Sequence, residues 1–517
     1  EIASCLVGSE MCIRDRSEGW GMQYDNGELP FFDYLAFKRM RERNTNYYGV
    51  SNTVNRQIAF FATGTYSYKR RYTLTGTLRY EGSNRLGKAR SARWLPTWNV
   101  ATAWNMHEEE FFKKLQPAFS YLTLKASYSL TADAGPTWVT NSRVVINSYN
   151  PWRPSAGVAE SGLRISDLEN SSLTYEKKHE LNIGVDMGFL DNRINLAADW
   201  YKRNNFDLIG WTSTQGAGGQ VNRMGNVASM KSHGFEFTLS TKNIKNKGFE
   251  WSTDLIFGLS KTEVTELNTR SFMFALISGS GFTREGYPHR GLFSIPFVGL
   301  DEQGFPIFEI SDKNNEKVLV DKNNYGTLNF QEMEHLDFLK YEGPTDPTIT
   351  GSFGNIFSIK NWKLNVFVTY SAGNKVRLDP VFRSTYNDLD ATPKDFKNRW
   401  RVPGDEKRTN VPAISARRHH QLYSNLNLGY NAYNYSTVRV ADGGFVRMKE
   451  ISLTYSLPGS LLEGKLLKSA SIKVQATNLF LIYSDKKLNG QDPEFFRSGG
   501  VSAPVPKQFT CTLRLGF

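Results

Sequence analysis

The sequence predicts an all-β protein, an antiparallel transmembrane β-barrel of which this chain supplies about thirteen strands. Three observations predict it. The last ten residues, Gln508 to Phe517, alternate strictly between apolar and polar side chains, which is the period of a strand with one apolar face. About a dozen earlier segments share this alternation. The connections between the segments are short and long in turn, as in an outer-membrane barrel.

The composition agrees with a membrane protein that crosses with strands. Of the 517 residues, 39% are hydrophobic and the mean hydropathy is −0.46. No apolar run approaches the roughly 18 residues that a membrane helix needs. A barrel strand alternates apolar and polar side chains, so it contains no continuous apolar run, and the absence of such runs does not exclude it. The 24 Tyr, 34 Phe and 11 Trp residues suit strands and the aromatic girdles of a barrel.

Charge and cysteine content exclude several other classes. The net charge of +12 is spread over loops and strands with 51 acidic residues in between, whereas a nucleic-acid binder clusters its basic residues. We therefore predict no nucleic-acid partner and attribute the charge to rims that face lipid headgroups and solvent. Cys5, Cys12 and Cys511 have neither the spacing of a disulfide framework nor that of a metal site. No cofactor and no metal is predicted.

The N-terminal segment is set apart from the barrel. Residues 1–16 contain CLVGSEMCIRDR, which resembles a translated sequencing adapter and lacks the basic start and apolar core of a signal peptide. Residues 17–55 show no clean period, and we expect an irregular extracellular loop there. Residues 56–517 form the predicted barrel part. The expectation is that the chain is truncated at its N-terminus.

The strands follow in order from this point. Each has an apolar and a polar face, and most reach the 9 to 11 residues of a tilted crossing. Ten residues that rise ~3.4 Å each at about 45° cover roughly 24 Å, close to the apolar band of a barrel. The predicted strands lie at 57–68, 72–80, 98–104, 121–130, 180–188, 194–207, 235–240, 249–259, 349–359, 363–370, 445–457, 470–481 and 508–517.

The connections give an orientation. Those at one end are short, such as 190–193, 244–248 and position 361, whereas 131–173, 208–229, 265–348, 371–436 and 485–506 are long. Outer-membrane barrels have short periplasmic turns and long extracellular loops. The sequence therefore predicts that Phe517 lies at the periplasmic end.

Several strings together resemble the SusC/RagA-type TonB-dependent outer-membrane transporters of Bacteroidota. They are LTGTLRYEGSNRLGK (74–88), LTYEKKHELNIGVDMGFLDNRINLAADWYKRNNFDLI (173–209), GNVASMKSHGFEFTLSTKNI (225–244), RWRVPGDEKRTNVP (399–412), DGGFVRMKEISLTYSLP (442–458) and FTCTLRLGF (509–517). The resemblance implies a barrel of roughly 22 strands around an N-terminal plug domain. This chain would be about the last 13 of those strands, with the plug domain missing.

The resemblance also implies a function and partners. Such a protein is an active importer of oligomeric nutrients in the cell outer membrane, with glycans expected ahead of peptides. Its partners would be a SusD-like surface lipoprotein, the TonB complex through the missing N-terminal region, the barrel-assembly machinery and outer-membrane lipid. No catalytic residue is needed for this function.

Two sets of candidate residues follow. Aromatic side chains in the long connections are candidates to stack on ligand, although packing between loops and a place in the girdle are the commoner roles of such residues; they are Trp138, Tyr149, Trp152 and Trp211. The apolar side chains of the terminal strand are candidates for recognition by the assembly machinery; they are Phe509, Leu513, Leu515 and Phe517.

Two alternatives remain open at this stage. A barrel enzyme of the outer membrane needs a Ser/His/acid set or paired carboxylates at its rim, and the sequence has seven His and no nucleophile motif. A soluble or surface carbohydrate-binding β-protein would have connections of similar length at both ends and no apolar belt. Detergent dependence and heat-modifiable gel migration distinguish a barrel from the latter.

Overall fold

The computed structural model describes most of the chain, in thirteen ranges. They are 2–22, 48–86, 89–116, 118–135, 144–149, 162–167, 169–213, 222–311, 316–330, 336–382, 392–461, 467–494 and 506–517.

Strands dominate the described residues. In chain order they are β1 Ile2–Met22, β2 Tyr48–Tyr68, β3 Tyr72–Ser83, β4 Trp94–Asn105, β5 Phe119–Asp133, β6 Val145–Tyr149, β7 Gly162–Asp167, β8 Glu176–Phe189, β9 Ile194–Ser213, β10 Asn222–Lys245, β11 Phe249–Leu267, β12 Gly291–Ser294, β13 Phe297–Leu300, β14 Pro306–Ser311, β15 Lys317–Val320, β16 Lys340–Pro344, β17 Ile349–Ile359, β18 Trp362–Ala372, β19 Lys375–Arg377, β20 Val440–Asp442, β21 Phe445–Ser456, β22 Ser469–Ser484 and β23 Gln508–Gly516.

Helices are few and short. The α-helices are α1 Arg90–Arg93, α2 Met273–Ile277, α3 Arg417–Leu422 and α4 Leu426–Asn434. Single 3₁₀ turns cover Met106–Glu108, Glu110–Lys114, Tyr325–Leu328, Lys394–Asn398, Asp405–Lys407, Thr437–Arg439, Gly459–Leu461 and Lys486–Leu488. Among the residues that the structure describes, no helix is both long enough and apolar enough to cross a membrane.

One antiparallel sheet of fourteen strands organises the described part of the chain. Its order is β1-β2-β3-β4-β5-β8-β9-β10-β11-β17-β18-β21-β22-β23, so each strand pairs with its neighbours along the chain once the strands inside the connections are set aside. Thirteen of these strands are the predicted ones, and the antiparallel all-β prediction is confirmed. The additional strand is β1, which pairs with β2 from Ile2 opposite Ser67 to Met22 opposite Tyr48.

The strand bounds differ from the sequence expectation mainly in length. β9 continues to Ser213 and β10 begins at Asn222, so the connection between them is 214–221 and not 208–229. The expected irregular segment 17–55 differs at both ends, since β1 extends to Met22 and β2 begins at Tyr48. Alternation is weak at these strand ends, and backbone pairing with the neighbouring strand extends the sheet regardless of side-chain pattern.

The two faces of the sheet have opposite chemistry because successive side chains point to opposite faces. On β3, Leu74 and Leu78 are 53% and 56% exposed, and the register places them beside the apolar-face residues of β4 and β2. The same face carries Val100, Ile183 and Phe509, all exposed. These side chains do not meet in a dry core, which contradicts the soluble-protein alternative.

The opposite face of the sheet is lined by polar side chains. Between β2 and β3, hydroxyls form three cross-strand hydrogen bonds at 3.2 to 3.3 Å: Thr63 with Thr77, Thr65 with Thr75 and Ser67 with Thr73. We call this set the hydroxyl ladder. Cross-strand hydroxyl pairs of this kind stabilise the pairing modestly and leave a polar wall without net charge.

Successive connections between the sheet strands lie at its two ends in turn. At one end they are 69–71, 106–118, 190–193, 246–248, 360–361 and 457–468, and at the other 84–93, 134–175, 214–221, 268–348, 373–444 and 485–507. The second end is called the long-connection end below.

The largest apolar core of the described residues lies in two connections and not in the sheet. Connection 268–348 supplies Met273, Phe293 and Phe308, and connection 373–444 supplies Phe382 and Tyr433, all buried in one cluster. The sequence predicted these segments only as long loops. They fold into a shared body because neither buries enough apolar surface alone, whereas together they close a core.

A buried arginine fixes this loop body. Arg377 is 4% exposed and donates to the carbonyls of Ile277 at 3.2 Å, Ser436 at 2.9 Å and Phe293 at 2.6 Å. Burial lowers the pKa of Arg377 to about 9, which leaves the guanidinium charged at neutral pH. The charge is acceptable because three main-chain oxygens replace its hydration.

Candidate ligand-binding wall

The candidate site is the polar face of β2–β5 at the long-connection end. Here Leu86 and Leu173, from connections 84–93 and 134–175, are fully buried together with Leu95 of β4. Leu95 lies on the same face as Thr97 and Asn99. The two connections therefore fold inward over the polar face and do not stand away from it.

A cavity of about 580 Å³ lies beneath these inward connections. We call it the rim cavity. Its lining comes from β2 to β5, the two connections and the residue before β8; it comprises Gln57, Thr77, Arg79, Glu81, Arg85, Thr97, Trp98, Asn99, Leu130, Thr131, Ala132, Asp133, Ala134 and Tyr175. Most of these groups are polar, and both hydrogen-bond donors and acceptors are present.

The charged groups of the rim cavity already have partners. Arg79 Nε donates to Glu81 Oε2 at 2.8 Å, and Glu81 is buried. Arg85 Nη2 donates to the carbonyl of Gly135 at 3.0 Å. Asp133 Oδ1 accepts the amide of Gly135 at 2.9 Å. Gly135 has a φ of +70°, which a glycine adopts without strain, and its carbonyl and amide bind Arg85 and Asp133.

Tyr175 brings to the lining a buried hydroxyl that lacks a hydrogen-bond partner in the part of the chain that the structure describes. The side chain is 1% exposed, and its hydroxyl makes no hydrogen bond there. Burial, and then the nearby charge of Glu81, raise the pKa of Tyr175 far above its usual value. The phenol therefore stays neutral and keeps its O–H as a donor.

A second cavity continues the polar wall toward the opposite end of the sheet. Its volume is about 310 Å³, and Thr73, Thr75, Ser127, Asn182 and Asp199 are among its lining residues. Thr77 of the hydroxyl ladder lines the rim cavity, and Thr73 and Thr75 line this one. The ladder therefore connects the two cavities along one wall.

Ion pairs neutralise further charged side chains of this face. Lys125 lies 2.9 Å from Asp186, and Glu180 lies 2.7 Å from Lys178 and 3.1 Å from Arg203. In the observed register, Lys125 of β5 and Glu180 and Asp186 of β8 share the polar face.

Two of the four aromatic residues predicted to contact ligand lie in the part of the chain that the structure describes. Trp138 and Trp152 lie outside the described residues. Tyr149 ends β6. Trp211 was placed in a loop, which is wrong, because it lies in β9 opposite Met224 of β10 with half of its side chain exposed. Their role in ligand contact stays a prediction.

The terminal strand has the predicted alternation. β23 pairs with β22, with Leu515 opposite Ala470 and Leu513 opposite Ile472. Phe509, Leu513, Leu515 and Phe517 are all exposed, with Phe509 at 74%. Their recognition by an assembly machinery stays a prediction as well.

No metal centre emerges from the described part of the chain, where no group of three His, Cys, Asp or Glu side chains is close enough to hold an ion. The adjacent His419 and His420 of α3 contact the loop around them: His419 Nδ1 lies 3.2 Å from the amide of Ala416, and His420 Nε2 lies 2.9 Å from the Ser415 hydroxyl.

The sequence also matches a family that has this architecture. Residues 14–440 match the family described as "TonB dependent receptor-like, beta-barrel". The chain belongs to this family. Members are transporters and not enzymes, so the alternative of an outer-membrane barrel enzyme is set aside. The fold-class prediction and the resemblance stated from the sequence are confirmed.

Curated relatives of this TonB-dependent receptor barrel are longer than the chain. TonB-dependent receptor P39 of Formosa agariphila is 26% identical over 94% of the chain and 48% of its own length. TonB-dependent receptor SusC of Bacteroides thetaiotaomicron is 25% identical over 92% of the chain and 44% of its own length. The chain thus spans about half the length of the relatives it matches.

A solved structure has the same fold. The structure of the RagAB peptide transporter matches all of the chain and 53% of its own chain, with a TM-score of 0.76 and 21% identity. Its likeness supports the barrel fold for the fourteen-stranded sheet.

The rim cavity is what sequence reasoning missed at this receptor barrel. Alternation within strand 72–80 puts Arg79 on the face opposite Leu74 and Leu78. The inward fold of connections 84–93 and 134–175, however, depends on contacts between residues far apart in sequence. The one available signal was the pair Leu173 and Tyr175, which alternate like a strand just ahead of β8.

Proposed function

We propose that the chain forms the C-terminal part of the wall of an outer-membrane TonB-dependent importer of oligomeric nutrients. The apolar face of the sheet contacts lipid, and the polar face lines the lumen. The long-connection end lies outside the cell, and the C-terminus lies in the periplasm.

One observation carries this proposal: a single apolar face and a single polar face continue across the antiparallel strands of the sheet. A membrane wall needs this arrangement because lipid contacts one face and water the other. The family match gives the arrangement a transport role.

We rank glycans ahead of peptides as the imported oligomer. Hydroxyl groups and mutually paired charges line the polar face, for example the hydroxyl ladder and the Lys125–Asp186 pair. A wall of this kind suits an uncharged, hydroxylated solute. The peptide alternative is kept because the structural relative is described as a peptide transporter.

The proposed partners follow the same reasoning. A SusD-like lipoprotein would cover the loop body at the long-connection end, and the TonB complex would drive release through the N-terminal part of the full-length protein. The barrel-assembly machinery would recognise the terminal strand through Phe509, Leu513, Leu515 and Phe517.

The test is uptake by intact cells. We expect that deletion of the gene for the full-length protein abolishes uptake of a labelled glycan oligomer and leaves uptake of its monosaccharide unchanged. Loss of TonB should have the same effect. Unchanged uptake of a full panel of glycan oligomers and oligopeptides after deletion would contradict the proposal.

A further inference from the structure

We propose that the rim cavity is a binding subsite for one or two uncharged sugar units of an oligosaccharide. The inference rests on the proposed importer function and deepens it, since it names the location and the charge of the ligand that the wall recognises.

The first argument is the hydroxyl of Tyr175. A buried hydroxyl without a partner costs free energy, so it indicates a group that a ligand completes. Tyr175 is itself part of the lining of the rim cavity, together with Glu81 and Arg85. A ligand bound there would supply the partner that the hydroxyl lacks.

The second argument is charge. Two arginines and two carboxylates line the cavity, but Arg79 pairs with Glu81, and Arg85 and Asp133 both bind the main chain at Gly135. The two positive and two negative side chains cancel, so the lining presents no net charge to attract an ion. An uncharged ligand can bind while these contacts stay intact, so the lining favours a ligand without net charge.

The third argument is the set of neutral groups around them. Gln57 and Asn99 each offer amide donors and an amide acceptor, and Thr77 and Thr97 offer hydroxyls that act in either role. A sugar ring presents hydroxyls at every edge, which can donate and accept at once. The volume of about 580 Å³ falls within the range of small-ligand sites, roughly 300 to 1,000 Å³, and admits a short oligosaccharide segment.

The experiment measures binding to the full-length protein purified in detergent, by calorimetry. The probes are neutral trisaccharides with α-glucan, β-glucan, mannan and xylan linkages, a trisaccharide that carries uronic acids, and uncharged tripeptides. We expect at least one neutral trisaccharide to bind. Tyr175→Phe and Asn99→Ala should each weaken it about threefold to tenfold, the effect of one neutral hydrogen bond.

Two control variants match these changes in chemistry. Tyr370→Phe removes a hydroxyl that donates to the Ile256 carbonyl on the apolar face. Asn365→Ala removes an amide that donates to Glu450 and lies in β18, which is distant from β2–β5 in the strand order. Both should leave the dissociation constant within twofold. Tyr175→Phe should also leave the melting temperature unchanged or raise it, since its hydroxyl has no partner among the described residues to lose and its burial costs free energy.

The outcomes separate this inference from the importer function. Neutral trisaccharide binding that Tyr175→Phe and Asn99→Ala leave unchanged overturns the subsite, as does binding of tripeptides alone, of the acidic trisaccharide alone or of no probe. In each of these cases glycan or peptide uptake that depends on the gene keeps the importer function. Uptake that does not depend on the gene overturns both.

Discussion

Single buried arginines hold the long connections in place, Arg447 from the wall and Arg439 from within connection 373–444. Arg447 of β21 is almost fully buried and bonds Asp492 at 2.6 Å, while Glu494 lies 2.7 Å away. Arg439 is equally buried and bonds Asp395 at 2.8 Å. Each guanidinium joins elements that are distant along the chain, because its planar fork can satisfy several oxygens at once.

Removal of a partner from such a pair should loosen one connection. We expect Asp492→Ala to destabilise connection 485–507 by about 3 kcal/mol, because it leaves the Arg447 charge buried with a poorer set of acceptors. Hydrogen exchange of residues 485–494 in the full-length protein measures this. Lys317→Ala is the control, because the Lys317–Glu309 pair is exposed and surface pairs contribute little. Equal exchange in both variants would refute the buried-pair argument.

Residues of this kind lay beyond sequence reasoning. From the sequence, Arg447 is an ordinary polar position in a strand, Arg377 is part of the long connection 371–436, and Tyr175 lies between strands. The two arginines bind oxygens from segments 45 to 100 positions away, and no local pattern encodes those contacts. The terminal-strand residues, by contrast, could be placed, because their exposure follows from alternation alone.

The strands were the most predictable elements. β17 matches the predicted bounds 349–359, since turn residues bound it on both sides and its apolar residues fall mostly on alternate positions. β9 and β10 were predicted too short, because their ends at Ser213 and Asn222 lack alternation and are held by pairing. The strands β12–β16 inside connection 268–348 were missed, because they are too short to establish a period.

A lysine placed on one or the other face of a single strand should distinguish the face that contacts lipid from the face that lines the lumen. Val474 of β22 lies on the apolar face and is exposed, whereas its neighbour Gln475 lies on the polar face. We expect Val474→Lys to destabilise the folded barrel by about 2 to 4 kcal/mol. Gln475→Lys should have little effect, since Lys473 already occupies that face and lies 3.3 Å from Glu450.

Urea titration of the full-length protein in lipid vesicles, followed by heat-modifiable gel migration, measures both variants. Equal sensitivity at the two positions would mean that neither face contacts lipid.

At the scale of the whole molecule, the described residues form a wall that is open on both faces and a loop body with its own core. The wall was predictable because lipid imposes one period on every strand. The loop body was not, because the apolar residues of connections 268–348 and 373–444 are scattered without a period, and only their combination forms a core.

Acid should loosen the loop body before it affects the wall. Burial alone would raise the pKa of Asp395, but hydrogen bonds from Arg439 and Asn489 outweigh it and lower the pKa below its usual value. The ionised carboxylate therefore stabilises the folded state above the unfolded pKa of about 4, and this stabilisation is lost as the pH falls through the lower folded pKa.

Hydrogen exchange of residues 392–398 and 437–440 at pH 6 and pH 3 measures the effect. After correction for the intrinsic effect of pH on amide exchange, we expect weaker protection at pH 3 in the parent protein. The difference should be smaller in Asp395→Asn, whose amide cannot titrate. A pH response that Asp395→Asn leaves intact would assign the loosening to other groups.

The hydroxyl ladder has a consequence for anything that moves along it. Each O–H is a rotor that can turn its proton toward its rung partner or toward a newcomer, so bonds along Thr63–Thr77, Thr65–Thr75 and Ser67–Thr73 can be exchanged one at a time. A hydroxylated solute that moves along the ladder would therefore meet a shallow, even free-energy profile, with no position at which the ladder alone binds it tightly. Under the proposed transport function, this is the property that the pathway needs, because a solute that the lining binds tightly would not pass along it.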